Sequence, residues 1–336
     1  MVSIKDISNK CNVSVATVSK ALNGHRDISE ATRKMVCKMA KEMGYLPNSA
    51  ARALKTNRTY NLGVLFSDDT QSGLTHEYFS QVLDKFKVQA ESSGYDITFI
   101  NHNIGNKPMS YYEHCQYRGV DGVCIACINF TAPDVIELVN SNLPLVTIDH
   151  QFNNRTAILS DNVQGIKDLV QHVIDMGHRK IAFIHGEGTG VTENRLASFY
   201  RTCMENGIEI PPAYVKEARY HKPKDTAKAT RELLELPQRP TCIMFPDDFS
   251  SIGGLNELKE MGLSIPEDIS VTGYDGIYLS RVLDPKLTTL RQDTDMLGKQ
   301  AAIKLIDLIE RPRTTLPETV IVKGQLLEGC SVKKLL

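Results

Sequence analysis

Five residues scattered through the last two thirds of the chain have side chains suited to gripping a small polar molecule. Asp275 closes the run Val271-Thr272-Gly273-Tyr274-Asp275, after a predicted strand, where open α/β sheets bind their ligands. Arg195 stands at the start of a predicted helix, in Glu193-Asn194-Arg195-Leu196-Ala197-Ser198-Phe199. A carboxylate and a guanidinium facing one crevice can hold several hydroxyls through charge-assisted hydrogen bonds. Asp149 and Asp247, at the ends of their own apolar runs, add acceptors, and Tyr220 offers a ring to stack on a flat face.

A second group of residues, near the N-terminus, suits a polyanion. Residues 1–60 hold seven Lys and four Arg against two Asp and two Glu, a balance of +7, so the rest of a chain whose total is −1 carries −8. A basic head on an acidic body meets RNA, DNA or an anionic surface while the body does something else. Val15, Ala16 and Lys20 open a short helix, the place from which side chains reach base edges in the major groove. Val15 and Ala16 offer apolar contact to a thymine methyl, and Lys20 reaches guanine acceptors. Ser3, Thr17, Ser19, Asn23 and Thr32 are suited to phosphates, which set register without reading sequence, and Ser14 is a further candidate DNA contact.

Other chemistries find no support. Cys124-Ile125-Ala126-Cys127 has metal or redox spacing but sits in an apolar run without a second pair, which reads as a buried core strand. Gly186-Glu187-Gly188-Thr189-Gly190 lacks the Lys-Ser/Thr of a phosphate-binding loop and reads as a loop at a cleft. The nine histidines show no metal-ligand spacing, and there is no Gly-x-Ser-x-Gly elbow. No metal, no cofactor and no enzymatic activity are expected.

These residues need elements to position them. Ser3 caps a helix over about Ile4–Cys11, and Val15–Leu22 forms the next after a break at Asn12-Val13-Ser14. A third helix, capped by Ser29, runs to Met43 and stops at Gly44. Two short helices joined by a tight turn and braced by a third describe a helix-turn-helix domain. From Tyr60 onward, apolar runs at Leu62–Phe66, Ile97–Ile100, Val120–Ile128, Leu145–Ile148, Ile181–Ile184, Thr241–Phe245 and Ile269–Gly273 alternate with amphipathic stretches. This alternation predicts parallel sheets covered by helices, and its length predicts two doubly wound units. No apolar run reaches the roughly 20 residues of a membrane span. MVSIKDISNK lacks the apolar centre of a signal peptide, and scattered cysteines suit a reducing compartment, so a cytoplasmic location is expected.

The string Ile4-Lys5-Asp6-Ile7-Ser8, followed by Asn12-Val13-Ser14-Val15-Ala16-Thr17-Val18-Ser19-Lys20-Ala21-Leu22-Asn23, resembles the LacI/GalR family of bacterial transcription regulators. Tyr45-Leu46-Pro47-Asn48-Ser49-Ala50-Ala51-Arg52-Ala53-Leu54 resembles that family's hinge in the expected place. The resemblance covers the whole chain. It implies a periplasmic-binding-protein-like body, with Arg195 and Asp275 at positions where relatives grip an effector. Asn48, Ala51 and Leu54 fall on the hinge, and Leu54 matches the leucine that wedges into the operator's central minor-groove step. Unstacking that step costs a few kcal/mol, offset by the contacts a bent duplex allows. Ser198 and Asp247-Asp248 depart from the family's glycine and Asn-Asp, which bears on the effector's identity.

The expected molecule has a DNA-binding head at 1–46, a hinge at 47–59 and a body of two subdomains. The first subdomain would comprise 60–160 and 291–322, the second 161–290 and 323–336. The expected partners are a palindromic double-stranded operator, a second copy of the chain, and a small-molecule effector of the sugar or sugar-derivative class; no membrane partner is expected. The alternatives are a global catabolite regulator answering to a phosphorylated carrier protein, a sugar-binding protein, and an enzyme on the same fold.

Overall fold

The computed structural model describes residues 2–25, 27–46, 58–67 and 73–335, in two compact units, Met1–Thr59 and Tyr60–Leu336. The first unit holds three helices: α1 (Ile4–Cys11), α2 (Val15–Leu22) and α3 (Glu30–Glu42). Each starts on a serine whose hydroxyl accepts from the backbone three residues on: Ser3 from Asp6, Ser14 from Thr17, Ser29 from Thr32. Ser3 and Asp6 complete a reciprocal capping box. Asn12 enters the left-handed region at φ 51° to end α1, and the Ser8 hydroxyl donates to the Val13 carbonyl across the turn at 2.6 Å. Ile7, Val18, Ala21, Val36 and Ala40 form the small shared core. A bundle of this size has one apolar face per helix to bury, so the three helices stand or fall together.

The second unit contains two six-stranded sheets. In chain order its elements are β1 (Asn61–Phe66), α4 (Glu77–Ser92), β2 (Asp96–Ile100), the small hairpin β3 (Asn103–Ile104) and β4 (Lys107–Pro108), and α5 (Tyr111–Arg118). Then come β5 (Gly122–Ala126), α6 (Pro133–Asn140), β6 (Leu145–Ile148), β7 (Thr156–Ser160), α7 (Asn162–Asp175), β8 (Ile181–His185) and α8 (Gly190–Glu205). They are followed by β9 (Val215–Glu217), α9 (Pro223–Leu234), β10 (Cys242–Met244), α10 (Asp248–Glu260), β11 (Ser270–Asp275) and α11 (Tyr278–Val282). The last are β12 (Thr288–Arg291), α12 (Thr294–Glu310), β13 (Thr319–Val322) and β14 (Gln325–Leu327).

One sheet has the order β13-β7-β6-β5-β1-β2, all parallel; the other has β14-β12-β11-β10-β8-β9, parallel except for β14. The chain passes between the sheets three times: from Ser160 to Asn162, from Arg291 to Thr294, and from Val322 to Gln325. Each sheet is buried on both faces because side chains alternate along the strands. In the first, Leu62, Val64, Cys124, Val146 and Ile158 pack under α4 and α12, while Leu65, Val123, Ile125 and Leu145 face α5 and α6. In the second, Ile181, Phe183, Cys242 and Met244 meet α7 and α8, while Ala182, Ile184, Ile243 and Val271 meet α9 and α10. Gly298 lets α12 lie directly on α4, since a Cβ there would come within 2.1 Å of the Val82 carbonyl oxygen.

The run expected as one strand over Val120–Ile128 is shorter in the structure. β5 ends at Ala126, and Cys127, only half-buried, turns out of the sheet at φ 50°. Cys124 is fully buried, so the two thiols sit in different settings and form no pair.

Candidate functional site

In the N-terminal unit the second helix presents a distinct outer face. Val18 and Ala21 turn inward, leaving Ser14, Val15, Ala16 and Lys20 exposed, with Val15 at 48%. Ser14 and Thr17 share one hydrogen bond between their hydroxyls at 2.8 Å, while the Thr17 N–H occupies the Ser14 oxygen at 3.0 Å. Two hydroxyls have two hydrogens, and one bond uses only one, so an O–H remains for an acceptor such as a phosphate. Ser29 and Thr32 repeat the arrangement at the start of α3. The Asn23 amide donates to the Ser19 carbonyl at 2.7 Å and closes the end of α2. Ser3 is exposed but engaged with Asp6. Lys20 pairs with Asp27 at 2.5 Å on the surface, an ion pair weak enough in water to exchange for a stronger anion. Asn48, Ala51 and Leu54 lie outside the described residues.

In the body, the C-terminal ends of strands from both sheets open onto a cleft of about 590 Å³. The structure brings Asp149, Arg195, Tyr220, Asp247 and Asp275 together along its walls. Asp149 follows β6 at φ 58°; it accepts from the Tyr78 hydroxyl at 2.7 Å and from the Ser160 N–H at 3.1 Å. Asp247 caps α10, taking the Ser250 N–H and hydroxyl, each at 2.6 Å, and the His221 N–H at 3.2 Å. Asp275 ends β11 at φ 103° and accepts from the Gln292 amide at 2.6 Å. Arg195 is 4% exposed: its guanidinium lies 3.6 Å over the Tyr274 ring and donates to Asn162 at 2.7 Å and to the Pro246 carbonyl at 2.9 Å. Stacked and twice bonded, it is held in one orientation before any ligand arrives. Tyr220 hydrogen-bonds Thr192 at 2.9 Å and lies against Gly186, where a Cβ would fall 2.0 Å from the ring.

Burial shapes the electrostatics. It pushes the Asp275 carboxyl up to about 8, while the Arg195 charge and the Gln292 hydrogen bond pull against it. Burial also raises Asp149, opposed by its bonds to Tyr78 and Ser160. Burial lowers Arg195 itself, but the neighbouring tyrosines and carboxylates more than restore it, so it stays charged. The floor therefore combines one fixed cation with carboxyl acceptors, and Phe79, Phe130 and Tyr220 supply flat apolar walls.

Several contributors escaped the sequence reading. Tyr78, His76, His221, Asn129 and Gln292 also line the cleft. Gln292 follows β12 directly, but Thr288–Arg291 shows no unbroken apolar run, so the strand-end rule that selected Asp275 had no strand to work from there. His76 and His221 carry no sequence signal either: they stack at 3.5 Å, with Phe249 stacked on the other side of His221 at 4.8 Å. Asp248 faces away from the cleft, buried and bonded to Thr289 and the Ile277 N–H, and Ser198 donates to the Val163 carbonyl between α7 and α8. The Gly186–Gly190 segment lines the cleft through Glu187, Gly188, Thr189 and Gly190.

Residues 3–48 match the family model described as bacterial regulatory proteins, lacI family, and residues 170–332 match a periplasmic binding protein-like domain. The chain is 31% identical over 340 residues to the HTH-type transcriptional repressor PurR of Escherichia coli O139:H28 (strain E24377A / ETEC), covering 99% of this chain and 97% of that one. The chain belongs to the LacI family of bacterial regulatory proteins. It is a DNA-binding transcription regulator, not an enzyme. Its fold is that of the lac repressor dimer solved with operator and the anti-inducer ONPF, with a TM-score of 0.82, 24% identity and 99% coverage of both chains. A LacI family regulator from Enterococcus faecium solved with bound ribose has a TM-score of 0.70 at 25% identity, covering 82% of this chain and all of that one. The cellobiose complex of the regulator CelR gives 0.73 at 23% identity, with 98% and 100% covered.

Proposed function

We propose that the chain is a cytoplasmic repressor that binds a palindromic operator as a homodimer and loses or gains operator affinity when a neutral polyhydroxylated molecule enters its cleft. The observation that carries the ligand half is the convergence of Arg195, from α8, with Asp149, Asp247, Asp275 and Gln292, from strand ends of both sheets, on one cleft with aromatic walls. These groups are mostly acceptors, so they match the hydroxyl donors of a sugar. Structural relatives solved with ribose and cellobiose support that class. No helix among the described residues is long and apolar enough to cross a membrane, which accords with a regulator acting on intracellular DNA.

In the head, Val15, Ala16 and Lys20 read base edges; Ser3, Ser14, Thr17, Ser19, Asn23 and Thr32 set register on phosphates. Asn48, Ala51 and Leu54 form a hinge in the minor groove. Boundaries at 1–46, 47–59, 60–160 with 291–322, and 161–290 with 323–336 give each sheet its own subdomain. Three chain crossings join these subdomains, so a ligand that prefers one closure of the cleft shifts their relative setting. It alters operator affinity only by its differential affinity for the two states.

The test has two steps. A thermal-shift screen of the full chain against neutral sugars, sugar phosphates and nucleobases identifies the class, since a bound ligand raises the melting temperature by mass action. The best compound is then titrated against operator affinity for the wild type and for Arg195→Ala. The expected result is a response to a neutral sugar that Arg195→Ala abolishes with operator binding intact. A stabilising sugar phosphate, or an unchanged response in the variant, would overturn the assignment.

A further inference from the structure

We infer that His221, Asp247 and Asp275 form a site for a divalent transition-metal cation on the cleft floor, with the Gln292 carbonyl oxygen beside it. One ligand atom from each of the three side chains lies within 4.8 Å of the other two, and all three residues are buried. No spacing in the sequence announces this cluster. The three residues come from the loop after β9, the cap of α10 and the end of β11, and only the sheet order β11-β10-β8-β9 brings them together.

A second observation points to a missing ligand at the same place. Gln292 is 5% exposed, lines the cleft and donates its amide to Asp275, yet its carbonyl oxygen is buried with no partner. A buried orphan acceptor costs free energy unless a donor or a cation meets it. The nearby guanidinium does not do so, because the hydrogen bonds of Arg195 go to Asn162 and Pro246.

The surroundings also orient the three side chains as outer partners orient metal ligands. Ser250 fixes Asp247, Gln292 fixes Asp275, and His76 and Phe249 sandwich the His221 ring. One imidazole nitrogen with carboxylate and amide oxygens suits Mn²⁺, Fe²⁺, Co²⁺ or Zn²⁺ better than Mg²⁺ or Ca²⁺, which prefer oxygen alone. His221, Asp247, Asp275 and Gln292 all line the cleft, so vicinal hydroxyls of the proposed ligand would complete the shell. That last step rests on the cleft reading, whereas the cation site does not.

Equilibrium dialysis of the chelator-stripped full chain against Mn²⁺, without any sugar or DNA, tests the site independently of the proposed ligand. Mn²⁺ is the probe because thiolates take it poorly, and Cys37 and Cys330 are exposed. The expected result is saturable uptake of one ion per chain. His221→Gln and Asp247→Asn should each weaken it at least ~100-fold, since loss of an outer partner alone costs 10–100-fold. His102→Gln, which removes the exposed imidazole 3.6 Å from Asp134, should leave uptake unchanged. If His221→Gln fails to fold, Asp247→Asn decides, because asparagine keeps the helix cap. No saturable uptake, or uptake unaltered by the cleft variants, would overturn the inference.

Discussion

Asp275 shows how position alone alters a side chain's chemistry. Its ordinary value is 3.8, and burial in the cleft lifts it to about 8 in the folded chain. A carboxyl raised in this way stabilises the fold fully below its unfolded value, and that contribution is lost as pH rises toward 8. In chelator-treated, ligand-free protein, Asp275→Asn removes the dependence. The variant should therefore gain thermal midpoint relative to the wild type between pH 4 and pH 8, in melts followed by circular dichroism. Parallel pH profiles would show that Asp275 is not buried as described. At this scale the sequence marked residues that follow apolar runs, which is why Asp149, Asp247 and Asp275 stood out. His76 and His221 did not, since their meeting depends on contacts between segments about 145 positions apart in the numbering.

The helices of the head were readable from the sequence because local chemistry determines them. Ser3, Ser14 and Ser29 each precede an apolar 3.6-residue pattern, and the structure starts a helix directly after each one. Ser14→Ala removes the acceptor of the Thr17 N–H and should cost about 1 kcal/mol of head stability, measured by denaturant unfolding of the full chain. In the proposed reading of the head it should also weaken DNA binding, by removing a hydroxyl offered to a phosphate at the start of α2. The core strands were equally clear, since parallel sheets buried on both faces read as unbroken apolar runs. Thr156–Ser160, Val215–Glu217 and Thr288–Arg291 were not, being short and containing threonines or charges. Their pairing comes from neighbours already in place: β7 lies between β6 and β13, and β12 lies between β11 and β14. The end of β5 was missed because Cys127 keeps the apolar character of the run while its backbone leaves the sheet.

Across the whole chain, the charge is split between two units, and three crossings between the sheets join the body's halves, which the proposed mechanism makes one responsive element. The hinge transmits that response to the head in the proposed mechanism. Leu54→Ala should then weaken operator binding at least about tenfold while leaving ligand affinity of the body unchanged, as read by mobility shift and calorimetry on the same preparation. Equal operator affinity would remove the minor-groove wedge from the mechanism. DNA recognition by the head meets its most direct test in selection from a random duplex library by the purified full-length chain at low ionic strength, followed by sequencing of the bound pool. Enrichment of two-fold symmetric sites is expected, with affinity falling steeply as salt is raised. A pool with no symmetric motif, or one that Lys20→Ala leaves unchanged, would contradict it.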